Sequence, residues 1–249
     1  MYMLEPRVIY EDKNFLAINK PAGLVVHGTA HSKEPTLVDW LLKRCPEIAT
    51  VGDEPELRPG IVHRLDKETS GVMLVARNQK SFDYLKNLFK NRLIKKIYLA
   101  VVFGKLIPRS GRIEKAIGIK NGTLKRSVHS ERMKKDALTE YSVKKYFERD
   151  GQSGGKEYFS LVEVEPKTGR THQIRVHLAS VGHPVLGDKL YGLKNQPASP
   201  EPERGEPVWA GRLMLHALSL ELPLQNGSRL KIEADPPDDF QKTISSFGD

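Results

Sequence analysis

Residues 58–77 read RPGIVHRLDKETSGVMLVAR. Arg64, Asp66, Lys67 and Glu68 crowd charge into a short polar segment, and a Ser-Gly turn signal follows at Ser70 and Gly71. From Gly71 to Ala76 the chain is then uninterrupted by any polar side chain. A short apolar run bounded by turn residues reads as a buried strand. Asp66 therefore stands in a charged cluster just ahead of a strand.

Working outward, RVIYEDKNFLAINKPAGLVVHG (residues 7–28) reads as two short strands around an Asp-Lys-Asn turn, ending at Lys20-Pro21. A helix is predicted over 36–44 with Leu37, Trp40 and Leu41 on one face. Residues 80–90 predict a basic amphipathic helix whose apolar side carries Phe82, Leu85, Leu88 and Phe89. Residues 96–103 predict a buried strand. The segments 112–119 and 138–147 alternate like half-buried strands, separated by the loop NGTLKRSVHSERMKKD. Further strands are predicted at 159–164, 213–222 and 229–232, and helices at 171–180 and 236–247. Residues 193–207, LKNQPASPEPERGEP, read as an exposed flexible loop. Strands dominate without regular βα alternation. That pattern predicts an α+β fold: one domain over residues 1–249, with a central mixed, largely antiparallel β-sheet flanked by helices and loops. No repeat and no linker stands out.

Lys and Arg number 40 against 31 Asp and Glu, a net charge of +9 over 249 residues. The excess is local. Between Lys86 and Lys145 there are 17 basic and 4 acidic side chains, so the rest of the chain is net acidic. Such a block is either a lysine-rich solvated face or an electrostatic footprint for a polyanion, most simply nucleic acid. In the loop after residue 120, Lys125, Arg126, Arg132, Lys134 and Lys135 suit an arm along a phosphate backbone. Cys45 is the only cysteine, which excludes an intrachain disulfide and fits a reducing compartment. The first residues, MYMLEPRVIYEDKN, lack an apolar core of signal-peptide length. No run approaches the roughly 18 apolar residues of a membrane span. A cytoplasmic protein without a membrane partner is expected.

Other suggestive patterns fail on spacing. GQSGGKE (151–157) lacks the spacer and the Ser or Thr of a phosphate loop and reads as a hairpin connection. His172, His177 and His183 are five and six apart, not the three or four that sets zinc ligands on one helical face. Gly-x-Ser-x-Gly is absent, so a hydrolase nucleophile elbow has no support. Neither metal nor cofactor is expected.

HRLDKETSG (63–71) resembles the signature of the RluA-type pseudouridine synthases, which isomerise uridine in RNA. NKPAGLVVHG (19–28) is similar to that family's N-terminal hairpin, and KKIYLAVV (95–102) to its tyrosine motif. GRTHQIRVHLASVGHPVLGDKLYG (169–192) resembles its basic motif, and GRLMLHALSLEL (211–222) its late leucine motif. One tetrapeptide would be weak; five blocks in the family's order span nearly the whole chain. Gly28 stands where proline is common and Leu213 where a polar residue is common. The resemblance implies a pseudouridine synthase-like catalytic domain, expected here without an upstream S4-like RNA-binding module.

It also implies a site. Asp66, Tyr98 and Arg175 match catalytic positions; Arg64, His63 and Leu215 match substrate-binding ones. His172 joins the five loop cations as a candidate RNA contact. An aspartate near ribose C1′ can act as nucleophile, stabilise cationic character on the sugar, or move a proton. Arg175 is expected to keep Asp66 ionised in a dry pocket, Tyr98 to stack on the uracil, and Arg64 to occupy the space an everted base leaves or to hold a phosphate. Ribosomal or transfer RNA is the implied partner of a monomer with no obligate protein partner. Two other classes share parts of the pattern: a non-catalytic RNA-binding protein, and a nucleoside hydrolase or phosphorylase that would release free base.

Overall fold

Asp12 closes the first turn. Its carboxylate accepts from the Asn14 and Phe15 amides at 2.8 and 2.9 Å, folding β1 (Arg7–Glu11) antiparallel onto β2 (Phe15–Lys20). The computed structural model describes residues 5–28, 34–120, 122–123, 125–150, 155–193 and 211–247. They cluster into two compact units, Met1–Lys96 with Ala217–Asp235, and Ile97–His216 with Pro236–Asp249. Two of the three passages between the units, at 96–97 and 216–217, fall inside strands, and the third lies at Asp235–Pro236. Residues 194–207 of the predicted mobile loop lie outside the described residues.

In the first unit β2 pairs antiparallel with β3 (Ser70–Ala76), with Leu16 opposite Val75 and Ile18 opposite Met73. Every residue of β3 is buried, as its apolar run predicts for a central strand. The sheet continues through β10 (Leu215–Pro223) to the antiparallel edge strand β11 (Arg229–Glu233). Gly71 permits this. At φ +117°, a Cβ there would lie 2.2 Å from the Ala217 carbonyl oxygen. Helix α1 (Leu37–Arg44) starts at a reciprocal cap: Thr36 Oγ1 accepts from the Asp39 amide, and the Asp39 carboxylate accepts from the Thr36 amide. It buries Leu37, Val38 and Leu41, whereas Trp40 is only half-buried. Helix α2 (Gln79–Lys90), capped by Asn78, lays Phe82, Leu85 and Leu88 on a core shared with Phe15, Val72, Leu74 and Leu220.

The second unit carries β4 (Lys95–Phe103), β9 (Lys156–Pro166), β8 (Leu138–Asp150) and β5 (Ser110–Glu114) in that spatial order, all antiparallel. Helices α3 (Gln173–Ser180) and α4 (Asp238–Ser245) contribute Leu178 and Phe240 to a core with Ala100, Val102, Phe159, Val162 and Met214. The single strand expected over 112–119 is corrected here. It breaks after Glu114 and resumes as β6 (Gly118–Ile119), which pairs with β7 (Arg126–Ser127) in a separate two-stranded sheet. Gly118 lets the basic segment pack against β6, because a Cβ there would meet the Ser130 carbonyl oxygen at 2.2 Å. Alternation in sequence does not reveal that the basic segment folds back on this glycine. The α+β class and the largely antiparallel pairing follow the sequence pattern.

Candidate active site

In the first unit the Asp66 turn is built on buried supports. Leu65 is buried, the Thr69 amide donates to the Asp66 carbonyl at 3.1 Å, and Asp66 itself is half-buried. The next residue carries the main anchor. The Lys67 carbonyl accepts from the Gly23 amide at 2.8 Å and from Lys20 Nζ at 3.0 Å. Lys20 is fully buried, and its ammonium also donates to the carbonyls of Pro21 and Leu24 at 2.8 and 2.9 Å. A cation caged by carbonyls thus pins the acid's turn to the segment that follows β2. Sequence reading placed Lys20 only at a strand end. Its signal was a lysine next to proline inside an otherwise apolar stretch.

Arg64 is exposed and donates through Nη1 to His27 Nε2 at 3.3 Å. His27 Nδ1 lies 3.1 Å from the Gly28 carbonyl oxygen, so the tautomer with its proton on Nδ1 satisfies both contacts. His63 is different. Its Nε2 accepts from the Leu74 amide at 2.9 Å and its ring stacks on Phe89 at 4.3 Å. Burial, then the charge of Lys96, pushes its pKa down to about 3. His63 is a neutral ring that locks the turn to β3, and it brings no positive charge to a phosphate. Thr69 Oγ1, three residues beyond Asp66, is enclosed without a hydrogen-bond partner.

In the second unit Tyr98 stands half-buried on β4 opposite Val164, and Leu215, at 4% exposure, belongs to the core. Helix α3 places Arg175 at 7% exposure. Its Nε and Nη2 donate to Asp188 Oδ2 and Oδ1 at 2.8 and 2.9 Å, a two-pronged ion pair. The Asp188 side chain is fully enclosed, and its Oδ1 also accepts from the amides of Leu190 and Tyr191. Burial alone would raise the Asp188 pKa, but the bonds and charge of Arg175 and the two amides outweigh it and hold the group below its usual value. Asp188 was missed from the sequence, although it is the only acid between Gly169 and Gly192.

The opposite side of α3 carries a closed polar network. The Thr168 hydroxyl donates to Gln173 Oε1, and Gln173 Nε2 donates to the Leu138 carbonyl and Thr139 Oγ1. Thr139 donates in turn to His177 Nδ1, and His177 Nε2 donates to the Lys115 carbonyl. His172, at the N-terminus of α3, adopts the left-handed region at φ 56°. Such backbone costs a non-glycine residue about 1–3 kcal/mol and persists where surroundings fix it. Its Nδ1 meets the Tyr191 hydroxyl at 2.8 Å, and that hydroxyl accepts from the Arg126 amide at 2.9 Å.

The loop cations divide. Lys125, Arg132, Lys134 and Lys135 are exposed, and Lys134 pairs with Glu131 at 2.7 Å. Arg126 is half-buried, its Nε enclosed without a hydrogen-bond partner. The predicted residues thus gather in two places. His63, Arg64 and Asp66 share a turn of the first unit; Arg126, His172 and Arg175 converge on Tyr191 and Asp188 in the second. Among the described residues no group of three His, Cys, Asp or Glu side chains could hold a metal ion, and no helix is long and apolar enough to cross a membrane.

A family model described as RNA pseudouridylate synthase matches residues 14–180. The chain is 36% identical over 241 residues to ribosomal large subunit pseudouridine synthase D of Borreliella burgdorferi, covering 96% of this chain and 68% of the relative. It is also 36% identical to the protein of that name from Pseudomonas aeruginosa, covering 97% and 72%. The solved structure of human RNA pseudouridylate synthase domain containing 4 superposes with a TM-score of 0.72 at 27% identity, covering 97% of this chain and 92% of that one. Human RNA pseudouridylate synthase domain containing 1 gives 0.70 at 27% identity, covering 94% and 84%.

Proposed function

The chain belongs to the RNA pseudouridylate synthase family, and from that premise we propose that Asp66 is the carboxylate with which it converts uridine to pseudouridine. The N1–C1′ bond of the nucleotide breaks, the uracil turns, and a C5–C1′ bond forms. C5 loses a proton and N1 gains one, so the product is an isomer and nothing is consumed. Asp66 serves as nucleophile at C1′, as partner to a sugar cation, or as the base at C5. Each role needs an ionised carboxylate at a fixed place. The observation that carries this reading is the clamp on its turn, where the buried Lys20 ammonium and the Gly23 amide both hold the Lys67 carbonyl.

Tyr98 is proposed to stack on the uracil, an interaction worth roughly 1–3 kcal/mol per base. Arg175, oriented by Asp188, is proposed to support the charge of the reacting groups. Leu215 is proposed to help exclude water, so that rejoining outruns hydrolysis. Exposed Arg64 is proposed to fill the stack that an everted uridine leaves, offsetting an unstacking cost of a few kcal/mol. The proposed target is large-subunit ribosomal RNA, the substrate named for several relatives, with transfer RNA the competing address.

Total RNA from cells lacking the gene, incubated with the purified chain and mapped by carbodiimide derivatisation, tests this. The wild-type chain is expected to restore pseudouridine at discrete positions, and Asp66→Asn to restore none while still binding RNA and melting normally. Free uracil among the products would instead indicate a hydrolase. An active Asp66→Asn variant would remove Asp66 from the chemistry.

A further inference from the structure

Arg175 does not set its own direction. A guanidinium on a helix has several rotatable bonds, and only its partners fix the plane. Asp188 takes the Nε–Nη2 edge with both oxygens and is itself held by two backbone amides. Its turn packs closely as well. Gly187 has φ +75°, and a Cβ there would sit 2.0 Å from the Arg212 carbonyl oxygen, so only glycine fits beside Asp188. Tyr191 follows. Its amide caps Asp188, its ring lies 5.2 Å from the Arg175 guanidinium carbon, and its hydroxyl joins His172 to the backbone of Arg126 in the basic loop. A buried ion pair is a poor device for stability alone, because an apolar pair of similar volume often does as well. A two-pronged pair locks a planar group in one orientation.

Resting on the assignment of Arg175 to uridine isomerisation, we propose that Asp188 is a positioning residue for Arg175. Tyr191 supports the pair, its amide bonded to Asp188 and its hydroxyl held by the backbone of Arg126. Asp188 touches no reacting atom; it acts through Arg175. The Tyr191 hydroxyl accepts from the Arg126 amide and donates to His172 Nδ1, leaving the His172 proton on Nε2.

Single-turnover pseudouridine formation in RNA from the gene-deleted cells tests this, with RNA affinity measured in parallel. Asp188→Asn is expected to slow the step about 100-fold, the scale of a small misplacement of a reacting group, with RNA affinity nearly unchanged. In an Arg175→Lys background, which lacks the fork, the same change is expected to add at most about threefold, because coupled residues are not additive. Tyr191→Phe keeps the ring and the amide and is expected to slow the step about tenfold without lowering the melting temperature appreciably. A wild-type rate in Asp188→Asn, or a full additive loss in the Arg175→Lys background, overturns the proposal while leaving Asp66 and the isomerase reading intact. Should Asp188→Asn fail to fold, a wild-type rate in Tyr191→Phe overturns it. A wild-type chain that forms no pseudouridine overturns both readings.

Discussion

Lys20 carries a charge at full burial because backbone carbonyls of Pro21, Leu24 and Lys67 surround its ammonium. Lys20→Met keeps the apolar stem and removes the donors, leaving the Pro21 and Leu24 carbonyls without that partner. Each such acceptor costs about 1–3 kcal/mol. The expected loss of about 3 kcal/mol would appear in the urea midpoint, together with slower catalysis as the Asp66 turn loosens. An unchanged midpoint would mean that the turn is held elsewhere. His63 makes a pH prediction. Burial first, then Lys96, depresses its folded pKa to about 3 from a usual 6.5. The neutral ring belongs to the folded state, so its stabilisation is complete above pH 6.5 and is lost as the pH falls from there toward 3, where the unfolded chain binds the extra proton. The slope approaches about 1.4 kcal/mol per pH unit for one such group. His177, depressed by burial and then by Lys115 despite its bond to the Lys115 carbonyl, acts in the same direction. His63→Gln keeps an acceptor for the Leu74 amide and should flatten the stability profile below pH 6.5 by one proton's share, as urea titrations at stepped pH would show.

Helix α3 shows why elements were easier to place than their purposes. Its length suits eight residues of the QIRVHLAS stretch, yet nearly every one is buried, so apolar periodicity is weak. Polar side chains replace it as the packing code. Gln173 and His177, four apart, share the network to Thr168, Thr139 and Lys115, and Arg175 faces Asp188. Gln173→Leu, close in volume, should cost about 3 kcal/mol by leaving the Thr168 hydroxyl and the Arg170 amide without the acceptor they share. Activity should fall less than stability; the reverse, read from melting curves beside rates, would place Gln173 in the chemistry. The strands β3, β4, β8 and β10 and both amphipathic helices were legible because their apolar period survives in the sequence. The packing of the basic segment against Gly118 was not, because it depends on a carbonyl from residue 130 reaching a glycine twelve positions earlier. Asp188 stayed hidden for the same kind of reason: an acid in a loop shows its partner only when helix and loop are folded together. The candidate acid, tyrosine and arginine were named through resemblance; the clamp of Lys20 and the fork of Asp188 came from geometry.

Across the whole chain, charge separates by whether a cation has an acid beside it. Arg44 and Arg77 pair with Glu11 and Glu47, Arg229 with Glu221, and Lys231 with Glu233. In the basic loop Lys134 has Glu131, but Lys125, Arg132 and Lys135 are exposed and form no ion pair among the described residues. Pairing neutralises a cation toward a distant polyanion; unpaired cations keep their full field and condense on phosphate instead. Binding that displaces counterions from RNA weakens linearly with the logarithm of salt, by about 0.7 in slope for each single-strand phosphate neutralised. Replacing Lys125, Arg132 and Lys135 together with alanine should therefore make the slope shallower by about 2 and weaken binding similarly for all RNA sequences. Alanine at Lys156 and Lys231, equally exposed but paired with Asp150 and Glu233, should leave the slope unchanged. Fluorescence anisotropy over a range of potassium concentrations distinguishes the two sets. Equal slopes would reduce the loop to a solvated face and move the RNA footprint to other members of the basic segment between Lys86 and Lys145. A selective shift would show that part of the net +13 over that quarter of the sequence acts through these loop cations.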